Sequence, residues 1–167
     1  KYLNRKDTVY RDARMLIDPT NYEVIGGDSY LSGFINGFEV VPYPFLAPTI
    51  GLPSEVGNGY TGDTLFSIEN NEYIPNYNES ISIINSLFPK DKYIFLMCGG
   101  GGYASMTKNL LISLGYDQNK IYNVGGYWYY EGDNKVEVKR TNSDGETVYD
   151  FVKVPYHDIS FDDLTER

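Results

Sequence analysis

The sequence predicts an α/β protein with a parallel sheet, and three neighbouring segments predict it. Residues 93–97 (Tyr-Ile-Phe-Leu-Met) form a continuous apolar run, which is typical of a strand buried on both faces of a parallel sheet. A helical pattern over residues 104–114 follows, and residues 121–124 form the next short strand. Because parallel neighbours need a crossover connection, this order of strand, helix and strand favours parallel pairing.

The N-terminal half predicts fewer regular elements. Residues 14–18 contain a short apolar run, are followed by a turn at Pro19, and predict the first strand. Residues 29–33 predict a short helical turn, and residues 38–42 predict a second strand that Pro42 ends. Prolines and glycines are frequent over residues 43–78, so we expect a loop-rich excursion there with one short hairpin.

Two helices and a hairpin complete the prediction. Residues 79–88 place apolar side chains on one helical face before Pro89, and the helix over residues 104–114 ends at Gly115. The turn signal of residues 142–145 predicts a hairpin between flanking strands at 136–140 and 147–154. We therefore divide the chain into a main domain, residues 1–132, and an extension, residues 133–167, with a hairpin and an acidic end.

Composition limits the functions that need consideration. With 167 residues, 41% of them hydrophobic, the chain can bury a sizeable core. The net charge of −9 argues against nucleic-acid and anionic-membrane partners, which require clustered Lys and Arg. Cys98 and His157 are the only residues of their types, so the sequence predicts no disulfide, no metal site and no cofactor.

Cys98 directly follows the apolar run and precedes four consecutive glycines, Gly99, Gly100, Gly101 and Gly102. In open α/β sheets, ligands bind beyond the carboxyl ends of the strands, where the next helix also presents unpaired N–H groups. A glycine loop can turn successive N–H groups inward to hold an anion, and such surroundings favour a thiolate. We therefore predict a nucleophilic Cys98, although one or two glycines would suffice for a tight turn.

Segments of the chain follow one another in an order that resembles the rhodanese family of sulfurtransferases. They are residues 16–18 (Leu-Ile-Asp), 33–37 (Gly-Phe-Ile-Asn-Gly), 93–98, 115–116 (Gly-Tyr) and 124–128 (Val-Gly-Gly-Tyr-Trp). The resemblance covers about residues 14–130. It implies a parallel sheet of about five strands flanked by helices. It also implies that Cys98 accepts a sulfane sulfur as a persulfide and passes it to a thiol acceptor.

The chain departs from the family pattern at three positions. Tyr103 stands where many members carry an arginine, Phe34 replaces the usual histidine, and Thr20 stands where an arginine often follows the aspartate, here Asp18. Without the loop arginine a charge-assisted contact is lost, so we expect thiosulfate to be a weak donor. The predicted substrate-binding residues follow the cysteine along the loop and into the helix: Gly99, Gly100, Gly101, Gly102, Tyr103 and Ala104.

Other functions compete with sulfur transfer. A cysteine phosphatase needs an arginine in the loop after its cysteine, and residues 99–105 contain none. A nucleotide-binding P-loop is excluded because the sequence Gly-Lys-Ser/Thr is missing. A non-catalytic binding module that uses the glycine loop or residues 43–78 stays open. For the aromatic cluster of residues 127–130 we favour core packing over a role in the pocket.

We expect two kinds of partner, a small sulfur-donor anion or persulfide and a thiol acceptor. For His157 a surface or packing role is favoured over that of a base. The sequence contains no apolar run of 18 residues and no signal peptide, so no membrane contact is predicted from it. Because the chain opens at Lys1 without Met, we favour an exported protein with a trimmed leader over a cytoplasmic one. The sequence predicts no oligomeric state.

Overall fold

A four-stranded parallel sheet lies at the centre of the part of the chain that the structure describes. The structure is a computed structural model, and it describes residues 5–14, 34–49, 62–99, 102–133, 135–136, 139–141, 143–145, 147–149 and 159–167. In chain order the strands and α-helices are β1 (Thr8–Asp12), β2 (Phe34–Ile35), β3 (Glu39–Val40), α1 (Tyr43–Leu46), β4 (Phe66–Glu69), β5 (Glu72–Pro75), α2 (Ser80–Leu87), β6 (Tyr93–Cys98), α3 (Gly102–Ser113), β7 (Ile121–Gly126), β8 (Lys135–Val136), β9 (Lys139–Thr141) and β10 (Thr147–Tyr149).

The strand order of the sheet is β3-β1-β6-β7, and every neighbouring pair is parallel. The chain passes from β6 to β7 through α3, as the apolar pattern predicts. The α/β prediction is therefore confirmed. Where the resemblance implies about five strands, the sheet has four within the described residues.

The first strand that the structure describes, β1, is not among the predicted elements. Of the strand predicted over residues 14–18, Arg14 follows β1 outside any strand, and residues 15–18 lie outside the described residues, as do residues 29–33 of the predicted helical turn. The strand was missed because its buried Arg11 interrupts the apolar pattern. The Arg11 side chain pairs with Glu39 at 3.2 Å, and its Nε donates to the carbonyl oxygen of Leu87 at 2.8 Å. These contacts join β1 to β3 and to the end of α2.

Most elements of the second half match their predictions. The predicted helix over residues 79–88 is α2, and the predicted strand over residues 93–97 is β6, which extends to Cys98. Both α3 and β7 are present close to their predicted bounds. The predicted strand over residues 38–42 is the shorter β3.

The excursion over residues 43–78 is more ordered than predicted. Its start forms α1, whose four residues are all buried, and β4 and β5 form the expected antiparallel hairpin. Residues 50–61 lie outside the described residues. Pro44 is compatible with α1 because proline is tolerated in the first turn of a helix.

The C-terminal hairpin is confirmed where the structure describes it, and residues 137–138 and 150–154 of its predicted strands lie outside the described residues. Strands β9 and β10 pair antiparallel on either side of the predicted turn. Val136, which we placed in the first hairpin strand, belongs instead to β8 and pairs with Phe34 of β2.

The sheet separates two apolar clusters. On β6, Ile94 and Leu96 belong to the larger cluster, which includes buried residues of α1, α2 and α3. Met97 belongs to the smaller cluster on the opposite face. This alternation is what a strand between two packed layers requires. In the described part of the chain, no helix is long and apolar enough to cross a membrane.

Candidate functional site

The carboxyl ends of three sheet strands meet at one edge, and Cys98 lies among them. At the end of β1, Asp12 is in register with Met97 of β6, and the backbone N–H of Ala13 donates to the Met97 carbonyl at 2.7 Å. On the other side of β6, Cys98 is in register with Gly126 of β7. This edge is where open α/β sheets place their ligands.

Cys98 is the last residue of β6, and its residue surface is 2% exposed. It belongs to the larger apolar cluster together with Tyr103 and Ala104 of α3. The thiol is not part of a disulfide. Any substrate therefore reaches this sulfur only through a narrow opening or after a local movement of the residues that cover it.

The glycine loop is described only at its ends. Gly99 is buried directly after β6, and Gly102 is the exposed first residue of α3, whereas Gly100 and Gly101 lie outside the described residues. The anion cradle of loop N–H groups therefore stays a prediction. The loop does lead straight from the cysteine into a twelve-residue helix, which is the predicted order.

Two tyrosines of the larger cluster stack on each other at the start of α3. The ring of Tyr103, in the first turn of α3, stacks on that of Tyr43 of α1, with centroids 6.1 Å apart and 28° between the planes. Burial raises the pKa of Tyr43 far above its usual value, and the hydrogen bond with Tyr73 adds to the shift. Its hydroxyl therefore stays protonated and donates to the carbonyl of Pro48 at 2.9 Å. Ala104 is fully buried beside this pair.

The partner strand is irregular next to Cys98. Leu96 is in register with Asn123 but Cys98 with Gly126, so β7 carries an extra residue, a bulge, opposite Met97. Gly125 lies in this bulge with a φ of 103°, a conformation that favours glycine. Bulges often occur beside functional sites because they redirect the chain.

Side-chain hydrogen bonds fasten the bulge to α3. The Asn123 side-chain oxygen accepts from the N–H of Gly125 at 3.1 Å, and its Nδ2 donates to Oγ of Ser105 at 2.9 Å. We did not predict a role for Asn123 or Ser105. The available signal was the Asn-Val-Gly-Gly sequence, because an Asn side chain commonly bonds to the backbone two residues later.

A buried ion pair lies at the end of β1. Arg14 Nε donates to both carboxylate oxygens of Asp12 at 3.0 Å, and Arg14 Nη2 donates to Oδ2 at 2.6 Å. The side chains are only 1% and 0% exposed. The guanidinium carbon also lies 4.4 Å from the ring centroid of Tyr127, which follows β7. The pair thus joins the ends of β1 and β7 on either side of β6.

Asp12 is the last residue of β1 and Arg14 follows it, a pairing that we did not predict. Asp18 and Thr20, which we compare with the family's aspartate and arginine, lie outside the described residues, so that comparison stays a prediction. An Asp and an Arg separated by one residue, at the end of an alternating strand, were the signal that could have found the Asp12–Arg14 pair.

The aromatic cluster after β7 divides between core and surface. Tyr127 is 5% exposed and packs in the smaller apolar cluster, which confirms the predicted core role for this ring. Tyr130 packs partly against the same cluster, whereas Tyr129 is 76% exposed. Phe34 lies in β2, far along the chain from the glycine loop after Cys98. His157 is outside the described residues.

Within the described ranges, no group of three or more His, Cys, Asp and Glu side chains could hold a metal ion. The nucleophilic role of Cys98 stays a prediction. No protein-family model, curated protein or solved structure matches the chain.

Proposed function

We propose that the protein is a rhodanese-like sulfurtransferase or persulfide carrier with Cys98 as its nucleophile. The observation that carries the proposal is the position of Cys98, at the carboxyl end of an interior parallel strand and directly before a glycine run that leads into α3. The buried Asp12–Arg14 pair and the β7 bulge beside the cysteine support it.

The reaction consists of two exchanges at sulfur. The Cys98 thiolate attacks the outer sulfur of the donor, the sulfur–sulfur bond of the donor breaks, and its other half leaves with the electron pair as sulfite or a thiolate. Cys98 then carries a persulfide. An acceptor thiolate attacks the outer sulfur of this persulfide, forms the product persulfide and releases the Cys98 thiolate. The N–H groups of the glycine loop and the start of α3 would stabilise the anionic persulfide.

The surroundings of Cys98 favour a donor of low charge. Gly99, Gly102 and Tyr103, the described residues that follow the cysteine, bring no side-chain cation. Arg14 is a cation at this edge of the sheet, but it is buried and bound to Asp12. Small persulfides and polysulfides should therefore react faster than the dianion thiosulfate, which profits most from a charge-assisted contact.

Mass spectrometry of the intact protein tests the proposal. After incubation with glutathione persulfide, polysulfide or thiosulfate, we expect a gain of about 32 Da, one sulfur atom, on Cys98, which a reducing thiol removes. The Cys98→Ser variant should gain nothing. Folded protein that forms no adduct with any of these donors would contradict sulfur transfer.

The burial of Cys98 favours one other candidate, a rhodanese-like binding module without catalysis. A thiol on a residue that is 2% exposed can serve as an ordinary part of the core. The same experiment separates the two functions, because a binding module leaves Cys98 unmodified by sulfur donors while the protein stays folded.

A further inference from the structure

The last described residues, 159–167, fold back onto the segment between β5 and α2; we name them the C-terminal clasp. The backbone N–H of Asn78 donates to the Thr165 carbonyl at 2.9 Å, and that of Arg167 donates to the Asn76 carbonyl at 3.0 Å. Tyr77 and Glu166 form the antiparallel bridge between these bonds. The clasp thus pairs through a single bridge with the residues that follow β5.

One carboxylate fastens the middle of the clasp. Glu79, which precedes α2, accepts the backbone N–H of Thr165 with Oε2 and the Thr165 hydroxyl with Oε1, both at 2.9 Å. These bonds are exposed to solvent, so they hold the clasp in position without making its release costly.

An aromatic side chain anchors the clasp to α1. The ring centroid of Phe161 lies 5.1 Å from that of Phe45 and 5.5 Å from that of Tyr77. Phe45 is fully buried, whereas Phe161 is only partly buried. Ile159 and Leu164 of the clasp pack against the same cluster. The clasp therefore covers α1 on the side of Phe45.

A series of packed elements leads from the clasp to the helix that follows the cysteine loop. Phe45 and Tyr43 both belong to α1, Tyr43 stacks on Tyr103, and Tyr103 lies in the first turn of α3 after the cysteine loop. Tyr43 also shares a hydrogen bond of 3.2 Å with Tyr73 of the hairpin. All of these rings except Tyr73 and Phe161 are buried in the cluster that contains Cys98.

We propose that the C-terminal clasp controls access to Cys98. While it is attached, it holds α1 against the start of α3, and the thiol stays covered. When it detaches, α1 and the first turn of α3 loosen and the cluster that contains Cys98 opens, as local opening of a weakly held segment allows. The regulation of sulfur transfer by the clasp rests on the proposed function. The control of access to Cys98 does not, because it can be measured without any sulfur transfer.

The rate at which iodoacetamide alkylates Cys98 in the native protein tests this proposal without any sulfur donor. Phe161→Ala removes the anchoring ring, and we expect the rate to rise about tenfold. Thr165→Val removes one hydroxyl bond to Glu79, and a rise of about threefold is expected. Asp163→Asn, an exposed position in the same segment, should leave the rate unchanged. Thr165→Val is conservative enough to keep the test valid if Phe161→Ala fails to fold.

The dependence of the alkylation rate on urea concentration distinguishes local opening from global unfolding. If the clasp controls access, the faster alkylation of the variants should hardly change with low concentrations of urea, because little surface is exposed on local opening. Hydrogen exchange should accelerate in α1 and the first turn of α3 but not in β6. An unchanged rate in both variants, or a rate that rises with urea as steeply as global unfolding does, would overturn the proposal.

Discussion

Arg14 and Asp12 show how strongly burial changes what an ion pair contributes to stability. Both side chains are buried, and the carboxylate takes three side-chain hydrogen bonds from the guanidinium as well as the backbone N–H of Arg14 at 3.1 Å. Arg5 and Asp7 are also separated by one residue, and the shortest distance between guanidinium nitrogen and carboxylate oxygen is again 2.6 Å. Their side chains, however, are 46% and 51% exposed. Buried charges that lose their partner cannot be rehydrated, whereas exposed ones can.

We expect Asp12→Asn and Arg14→Met each to lower the free energy of unfolding by about 3–5 kcal/mol, because each leaves a buried charge unpaired. The double variant should lose less than the sum of the two. Urea unfolding followed by circular dichroism measures these values. Arg5→Gln is the matched control and should hardly change the midpoint. Single variants at Asp12 and Arg14 that behave like this control would show that the buried pair does not stabilise the fold.

The sequence makes Cys98 visible but not the burial of Arg14. A lone cysteine before four glycines stands out in any reading of the chain. The burial of Arg14 does not, because a charged residue is normally assigned to the surface, and this burial depends on Asp12 and Tyr127. Tyr127 directly follows β7, which lies on the other side of β6, so no local pattern could reveal this contact.

Helix α3 lies close to its predicted bounds, and its C-terminal end carries a local signal that explains this. Gly115 adopts a φ of 87° directly after the helix, and the N–H groups of Gly115 and Tyr116 donate to the carbonyls of Ile112 and Leu111. This arrangement is a common helix end that glycine makes without strain. Such signals are local, so they can be recognised before the fold is known.

We expect Gly115→Ala to lower the free energy of unfolding by about 1–2 kcal/mol, the usual cost of a left-handed conformation for a residue with a Cβ atom. Crowding adds little, because the nearest atom to an added Cβ is Lys90 Nζ at 3.8 Å. Gly115→Asn is the control and should cost less, since asparagine tolerates this conformation. Thermal or urea unfolding measures both. Equal losses in the two variants would indicate that the backbone conformation is not the cause.

Strand β1 and helix α1 were not predicted, each for a different reason. β1 contains a buried arginine that breaks the apolar pattern, and the contacts that accommodate it come from Glu39 and Leu87. α1 is only four residues long and contains a proline, so its own sequence barely favours a helix. Burial of all its side chains between the clasp and α3 supplies what the sequence of α1 lacks.

Across the molecule, the clasp connects the end of the described chain to the segment between β5 and α2, to α1 and through α1 to the cluster that contains Cys98. Its attachment depends on Glu79, whose pKa is lowered from its usual 4.5 by the hydrogen bond from the Thr165 N–H, and next by that from the hydroxyl. A lowered pKa means that the attached state binds fewer protons than the detached state. The contribution of Glu79 is therefore complete above pH 4.5 and is lost as the pH falls through the lowered pKa.

We accordingly expect acid to release the clasp. In NMR spectra, the hydrogen-bonded shift of the Thr165 amide should persist above pH 4.5 and disappear on further acidification. In Glu79→Gln this acid transition should be absent. Burial raises the pKa of Tyr77, and the nearby Asp63, Glu166 and Asp162 raise it further, so these carboxylates also bear on this region. Glu166→Gln is therefore the control and should retain the transition; its loss there would assign the effect to Glu166.

The sequence predicts the α/β class, the succession of β6, α3 and β7, and the place of Cys98 at a strand end, because apolar runs, helical spacing and glycines are local signals. It could not determine that Asp12 and Arg14 are buried beside that strand, that α1 is a helix, or that residues 159–167 reach the same cluster. Each of these depends on contacts between segments far apart in the chain. Such contacts gain their stability only after the sheet has brought the segments together.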